Sequence, residues 1–222
     1  MSQVAREASL GARAPAKERV YWHVRRMILQ GDVKGGEFIE EKELSEAVGV
    51  SRTPVREAFH RLQSDHFISL VPHRGAVVRQ ITAQELSELY EARRLIESHA
   101  VRRICEEKKP IPGILRQLET AIVETSGSQE FLRRAEMDQA LHRNIVALID
   151  NNVMVELYDQ LQVRQQRVAI AAMQARPERS KTIDAEHRQL IEALEQHDAD
   201  RAVKVISAHL RPVFDVISSL PV

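Results

Sequence analysis

Cysteine is almost missing from this 222-residue chain. The single Cys105 excludes a disulfide-stapled fold and a cysteine-based zinc finger, and it fits a reducing cytosol. Aromatic residues are also sparse, at 4% of the chain against 43% hydrophobic in total, so a core must be built mainly from aliphatic side chains. No apolar run approaches the roughly 20 residues that a membrane helix needs. The segment 1–16 lacks the apolar centre of a secretory signal, so none is expected. There is no surplus of charge of either sign: 32 basic groups balance 32 acidic ones. That balance excludes a wholly basic nucleic-acid coat or an acidic tail protein, while local basic surfaces remain open.

Glycine is scarce in one part only. Six of the eight glycines lie in the first 82 residues and two in the last 140. The glycine-poor part carries long patterns of period 3.6 and reads as a helical domain. The first part has short elements and frequent turns, which suggests a separate small α+β module. Residues 1–81 hold 13 basic and 10 acidic groups, and residues 82–222 hold 19 and 22. The expected division is a flexible tail at 1–16, a first domain at 17–81 and a helical domain at 82–222.

In the first domain, Val20, Val24, Met27 and Ile28 mark one face of a helix from Lys17 to Gln30. A short helix follows over about Glu41–Val48, with Leu44 and Ala47 inward, and Gly49-Val50 makes a tight turn. Thr53 is a good N-cap and Pro54 a good first residue for a third helix with Val55, Phe59 and Leu62 inward. Two apolar stretches, 67–71 and 76–81, flank the turn Pro72-His73-Arg74-Gly75 and form a hairpin. Helix, tight turn, helix and hairpin is the order of a winged helix-turn-helix. The third helix sets Arg52, Arg56 and His60 at spacing four, opposite its apolar face. A long cationic face of this kind can enter a major groove, where Arg56 would be placed for a bidentate contact to guanine O6 and N7. Arg52, Thr53 and the free N–H groups of the first turn suit phosphates. Arg74, at the hairpin tip beside Gly75, would reach the minor groove or the backbone. The bland reading of the same pattern is a solvated basic helix face.

The run from Glu43 to Ala58, which contains Val48-Gly49-Val50-Ser51-Arg52-Thr53-Pro54-Val55-Arg56-Glu57-Ala58, closely resembles the signature of GntR-family bacterial transcription regulators. Arg61-Leu62 and the stretch Pro72 to Val78 continue the match, over about residues 17–81. The resemblance implies DNA contacts by Lys42, Arg52, Thr53, Arg56 and the wing residues Arg74 and Gly75. One departure is His66, where the family usually has a glycine before the first wing strand.

Thr82-x-x-Glu85 is a capping box that opens the helical domain. Helices are expected at about 83–107, 112–125, 129–150, 152–175, 179–196 and 199–218. In the third of these, Phe131, Ala135, Asp138, His142, Ile145 and Ile149 form an inward stripe, with Asp138 and His142 one turn apart in its middle. His187 interrupts a stripe of Ile183, Leu190 and Leu194, and His209 interrupts one of Ala202, Ile206 and Val213. His187 and His209 are 22 residues apart, and their midpoint is residue 198, inside the expected turn. In an antiparallel hairpin such residues face each other, so all four side chains can meet at one point. Burying a carboxylate with three imidazoles costs several kcal/mol unless they pair or bind metal. A His₃Asp set suits a divalent cation, zinc first, with nickel or manganese as further options. The alternative is a set of separate core histidines, each bonded locally. Arg93 interrupts the stripe of Leu86, Leu89, Ile96 and Ala100, and an inward arginine needs an anion. That anion is either Glu97, at i+4, or a small carboxylate clamped beside the metal.

Residues 83–216 resemble the all-helical FCD ligand-sensing domain of FadR-type GntR regulators. The resemblance implies an Asp-x₃-His pair and two later histidines as metal ligands, which Asp138, His142, His187 and His209 match by position. Glu91-Ala92-Arg93 followed by Glu97 resembles the start of that domain. The expected protein is mainly α, a winged helix-turn-helix followed by an antiparallel helical bundle. It would be a cytoplasmic homodimer that binds double-stranded operator DNA, with a repressor's response to a small carboxylate metabolite and no membrane partner. Three rivals stand beside it: a regulator with the metal itself as signal, a metal-dependent hydrolase with Glu136 or Glu186 as base, and a structural adaptor with no DNA role, against which the basic third helix speaks. No nucleophile motif or phosphate loop supports an enzyme.

Overall fold

The computed structural model describes residues 14–72, 74–128 and 130–211. Residues 1–13 of the expected tail, His73 of the turn, and Val213 with the rest of 212–218 of the expected last helix lie outside the described residues. The chain divides into two compact units, residues 1–81 and 82–222.

The first unit runs α1 (Ala16–Gln30), β1 (Phe38–Glu40), α2 (Glu41–Val48), α3 (Arg52–Ser64), β2 (Ile68–Val71) and β3 (Gly75–Val78). Helix α1 thus opens at Ala16, inside the segment read as a tail. Its buried face is Val20, Tyr21, Val24, Arg25 and Leu29, so Met27 and Ile28 are only half-buried. The stripe is turned toward Arg25, whose guanidinium carbon lies 4.9 Å from the centroid of Trp22 and 5.7 Å from that of Phe67. Two π faces make the burial of this cation tolerable. Gly49 closes α2 at φ 69°, a left-handed cap that costs glycine nothing. Leu44 is buried, as expected, whereas Ala47 is exposed.

Helix α3 begins two residues before the expected start, with extended Ser51 as N-cap. Thr53 and Pro54 therefore sit within the first turn. No N–H of that turn has an intrahelical partner, so proline fits there as well as at the first position. Val55, Phe59 and Leu62 are buried and contribute about 1.5–3 kcal/mol each by leaving water. The sheet has three strands in the order β1-β3-β2, both pairs antiparallel. The expected hairpin is there with shorter strands, and β1 joins its far edge. His66 has φ 60° and its Nδ1 lies 2.5 Å from Arg79 Nη1. A histidine stands in the left-handed conformation that glycine prefers, and it gains a partner across the sheet.

The second unit comprises α4 (Ala83–Glu106), α5 (Ile114–Glu124), α6 (Phe131–Ala147), α7 (Asn152–Ala175), a 3₁₀ turn (Pro177–Arg179), α8 (Ser180–Glu195) and α9 (Ala199–His209). Side chains cap three of these helices: Thr82 accepts from Glu85 N, Asn151 from Met154 N and Asp198 from Arg201 N. The expected helix at 179–196 is α8, which starts one residue later because a tighter turn opened by Pro177 runs through Arg179. Helix α4 packs against α6, α7 and α9, and α8 packs against α5 and α9. The aliphatic core between them includes Val101, Ile104, Leu141, Ile145, Leu190 and Ile206. Among the described residues, no helix is long and apolar enough to cross a membrane.

Gly75 tests the wing. Its φ is 146°, and a Cβ placed there would come within 2.2 Å of the Ile39 carbonyl oxygen. Gly75→Ala should force β1 and β3 apart and destabilise the first unit by about 1–3 kcal/mol. Urea unfolding followed by the fluorescence of Trp22, the only tryptophan in the chain, reads this directly.

Candidate metal centre and DNA-reading face

In α6 the 3.6 period places Asp138 and His142 on the buried side, one turn apart. Helices α8 and α9 are joined by residues 196–198 and bring His187 and His209 to the same place. The ligand atoms of these four residues lie within 4.8 Å of one another. His142 Nε2 is 3.3 Å from His187 Nε2 and 3.2 Å from His209 Nε2. Asp138 Oδ1 is 3.2 Å from His187 Nε2 and 3.8 Å from His142 Nε2. For a tetrahedral ion with metal–nitrogen bonds near 2.05 Å, neighbouring ligand atoms stand about 3.3 Å apart.

The other ring nitrogens decide what the inner ones can do. His142 Nδ1 lies 2.6 Å from Glu97 Oε2, and His209 Nδ1 lies 2.8 Å from Glu186 Oε2. A carboxylate accepts, so each Nδ1 carries its proton and each Nε2 of a neutral ring turns a lone pair inward. Two lone pairs 3.2 Å apart repel unless a cation stands between them. Carboxylate, imidazole and cation in line is the usual outer support of a metal ligand. The donor set therefore fits a divalent ion. His187 Nδ1 is buried with no hydrogen-bond partner among the described residues.

Glu97 is fully buried and takes three donors: Arg93 Nε at 2.8 Å, the Tyr158 hydroxyl at 2.8 Å and His142 Nδ1. Burial would raise its pKa, but Arg93 and then His142 outweigh that and bring it down to about 2. Burial and the neighbouring imidazoles push His209 down to about 4 despite its bond to Glu186, which keeps it in the neutral, ligating form. Asp138 is held well below the usual carboxylate range: burial opposes this, and the His142 and His187 rings overcome it. Arg93 is thus paired with Glu97. The Gln165 side-chain amide, oriented with its oxygen toward the guanidinium, also accepts from Nη1 at 2.7 Å and Nη2 at 3.1 Å.

A cavity of about 430 Å³ opens beside the cluster, and Asp138, His209 and Arg93 stand in its wall. Arg134, also in the wall, is buried and donates to the Ile122 carbonyl at 2.8 Å and to Asp184.

In the first unit, Lys42, Arg52, Thr53, Arg56, His60 and Arg74 are all exposed. Arg56 Nε donates to both Glu41 carboxylate oxygens, at 3.1 and 3.0 Å. The Arg74 guanidinium lies 5.6 Å from the Phe38 ring centroid, and Gly75 is buried at the start of β3. Arg61 is turned back on the unit: its Nη1 meets both Glu18 oxygens at 2.8 Å and its guanidinium covers Tyr21.

Residues 88–212 match the FCD domain family, and residues 16–78 match the family of bacterial regulatory proteins called gntR. The chain belongs to the GntR family of regulators with an FCD domain. This GntR-family regulator is 26% identical over 219 residues to the gluconate operon transcriptional repressor of Bacillus licheniformis, covering 94% of this chain and 88% of that one. It is 26% identical over 221 residues to the HTH-type transcriptional repressor RspR of Escherichia coli, covering 96% and 94%. Its fold is similar to a GntR transcriptional regulator from Rhodococcus sp. RHA1, with a TM-score of 0.72, 22% identity and coverage of 87% and 93%. E. coli McbR/YncC superposes with a TM-score of 0.67, 22% identity and coverage of 89% and 94%. The GntR-family chain is accordingly a transcriptional regulator and not an enzyme.

Sequence reasoning missed two supporting roles in this regulator. Spacing and resemblance connect Glu97 with Arg93 alone, and Glu186 enters only as a hydrolytic base. Glu97 bonds His142 as well as Arg93, and Glu186 bonds His209, contacts between helices that no local spacing reveals. Glu97→Gln should leave the Arg93 cation buried without its counter-charge. The expected cost, about 3–5 kcal/mol, is measurable by urea unfolding of the second unit followed by circular dichroism with chelator present.

Proposed function

We propose that this regulator is a cytoplasmic, homodimeric repressor that holds a divalent metal in its FCD domain and releases operator DNA when a small organic acid binds beside that metal. The observation that carries this reading is the convergence of three imidazole nitrogens and one carboxylate oxygen within 4.8 Å, on the wall of a 430 Å³ cavity. Asp138, His142, His187 and His209 would hold the ion, zinc first, with nickel or manganese as further options. When bound, the ion supplies a positive centre with coordination positions left for a carboxylate. Glu97 and Glu186 orient the imidazoles, and Arg93, the candidate carboxylate clamp, is held in the cavity wall by its pair with Glu97. Because the cavity adjoins the cluster, an organic effector is favoured over the metal alone as signal.

On the DNA side, Arg56 would read a base while Lys42, Arg52, Thr53, His60 and the wing residues Arg74 and Gly75 bind phosphates or the minor groove. A two-fold dimer suits a palindromic site. Two relatives named as repressors support the sign of the response. The acid acts only by binding two arrangements of the dimer with different affinity.

His187→Ala combined with His209→Ala should remove stoichiometric metal, read by elemental analysis of the purified protein. Equal metal in variant and wild type would place the ion elsewhere. Arg56→Ala should weaken binding to an operator selected from random DNA by about 1–3 kcal/mol, with little change on unrelated sequences. An unchanged footprint would reject base reading by Arg56.

A further inference from the structure

The cavity is larger and more cationic than a small monoacid requires. At about 430 Å³ it falls in the range of sites that enclose whole small molecules, about 300–1,000 Å³. Five arginines line it: Arg93, Arg134, Arg176, Arg179 and Arg211. Three are matched by acids of this chain, namely Arg93 by Glu97, Arg134 by Asp184 and Arg176 by Glu178. Arg179 is half-buried, and among the described residues its side chain makes no hydrogen bond or ion pair. Arg211 also has none, but it is exposed. Glu178 and Glu186 attract Arg179 only at longer range, and a half-buried guanidinium with no direct hydrogen bond gains most from a planar bidentate anion.

The position of Arg179 sets the shape of that anion. It ends the 3₁₀ turn that leads into α8, eight residues before His187, or about 12 Å of helix rise. Apolar side chains, Phe131, Ala169, Ala172, Met173 and Ile183, fill much of the wall. The cavity thus offers a four-residue cluster able to hold a cation at one place, a guanidinium with no direct hydrogen bond at another, and apolar surface besides.

We infer that the effector is a dicarboxylic acid with an apolar carbon skeleton, one carboxylate at the metal cluster and the second held by Arg179. This rests on the metal-and-acid reading above and adds the second anchor and the class of ligand.

The test is calorimetric titration of the zinc-loaded full chain at fixed ionic strength. The probes are the linear dicarboxylates from malonate to suberate, each against the monocarboxylate of equal carbon number. The best dicarboxylate should bind at least about tenfold tighter than its monoacid, as a charge-assisted second contact implies. Arg179→Gln should bring the pair within about twofold while zinc stoichiometry and monoacid affinity stay unchanged. Arg211→Gln should preserve the discrimination. Equal affinity of diacids and monoacids in the wild type overturns the proposal, as does discrimination that survives Arg179→Gln or disappears only in Arg211→Gln. Any of those results leaves acid sensing itself intact. If zinc is stoichiometric and no acid of either kind binds, the underlying reading fails and the proposal falls with it.

Discussion

A single buried carboxylate organises the second unit. Glu97 accepts from an arginine on its own helix, a tyrosine on α7 and a histidine on α6. Each donor would be costly to bury alone, and so would the carboxylate. Together they form a closed network in which every charge has a neighbour of opposite sign. The network does more than offset desolvation. It fixes the His142 tautomer, and that tautomer makes the imidazole an inward-facing electron-pair donor.

The four candidate ligands come from three helices, with Asp138 and His142 on α6, His187 on α8 and His209 at the end of α9. A cation bound by all of them ties together segments that are far apart in the chain. Binding energy at such a centre is also helix-docking energy. Because Asp138 and His209 line both cluster and cavity, a molecule in the cavity would meet the same side chains that such a cation would tie together.

Much of this was legible from residue spacing. The 4-3-4 steps through Asp138 and His142 are a local property of one helix. The mirror placement of His187 and His209 about residue 198 needed only a short turn between two regular helices, and residues 196–198 supply it. What escaped depended on longer range or shorter length. The Glu97–His142 bond spans 45 residues. Glu186 lies on the flank of α8, one helical step from the stripe, and still reaches His209 because α9 packs there. Strand β1 has three residues, too few for an alternating pattern. Arg25 is buried against aromatic rings, where counting apolar positions would never place a cation.

The ion pair between Arg56 and Glu41 bears on selectivity. A guanidinium already neutralised by two carboxylate oxygens exerts little pull on a passing phosphate. An exposed pair of this kind is worth about 0–1 kcal/mol, so if Arg56 reads a base as proposed, a guanine edge offering about 1–3 kcal/mol would displace Glu41, whereas a mismatched base would leave it in place. On that proposal, the acid on α2 would lower background attraction to arbitrary duplex more than it weakened capture of the correct one, sharpening discrimination without any additional contact to DNA.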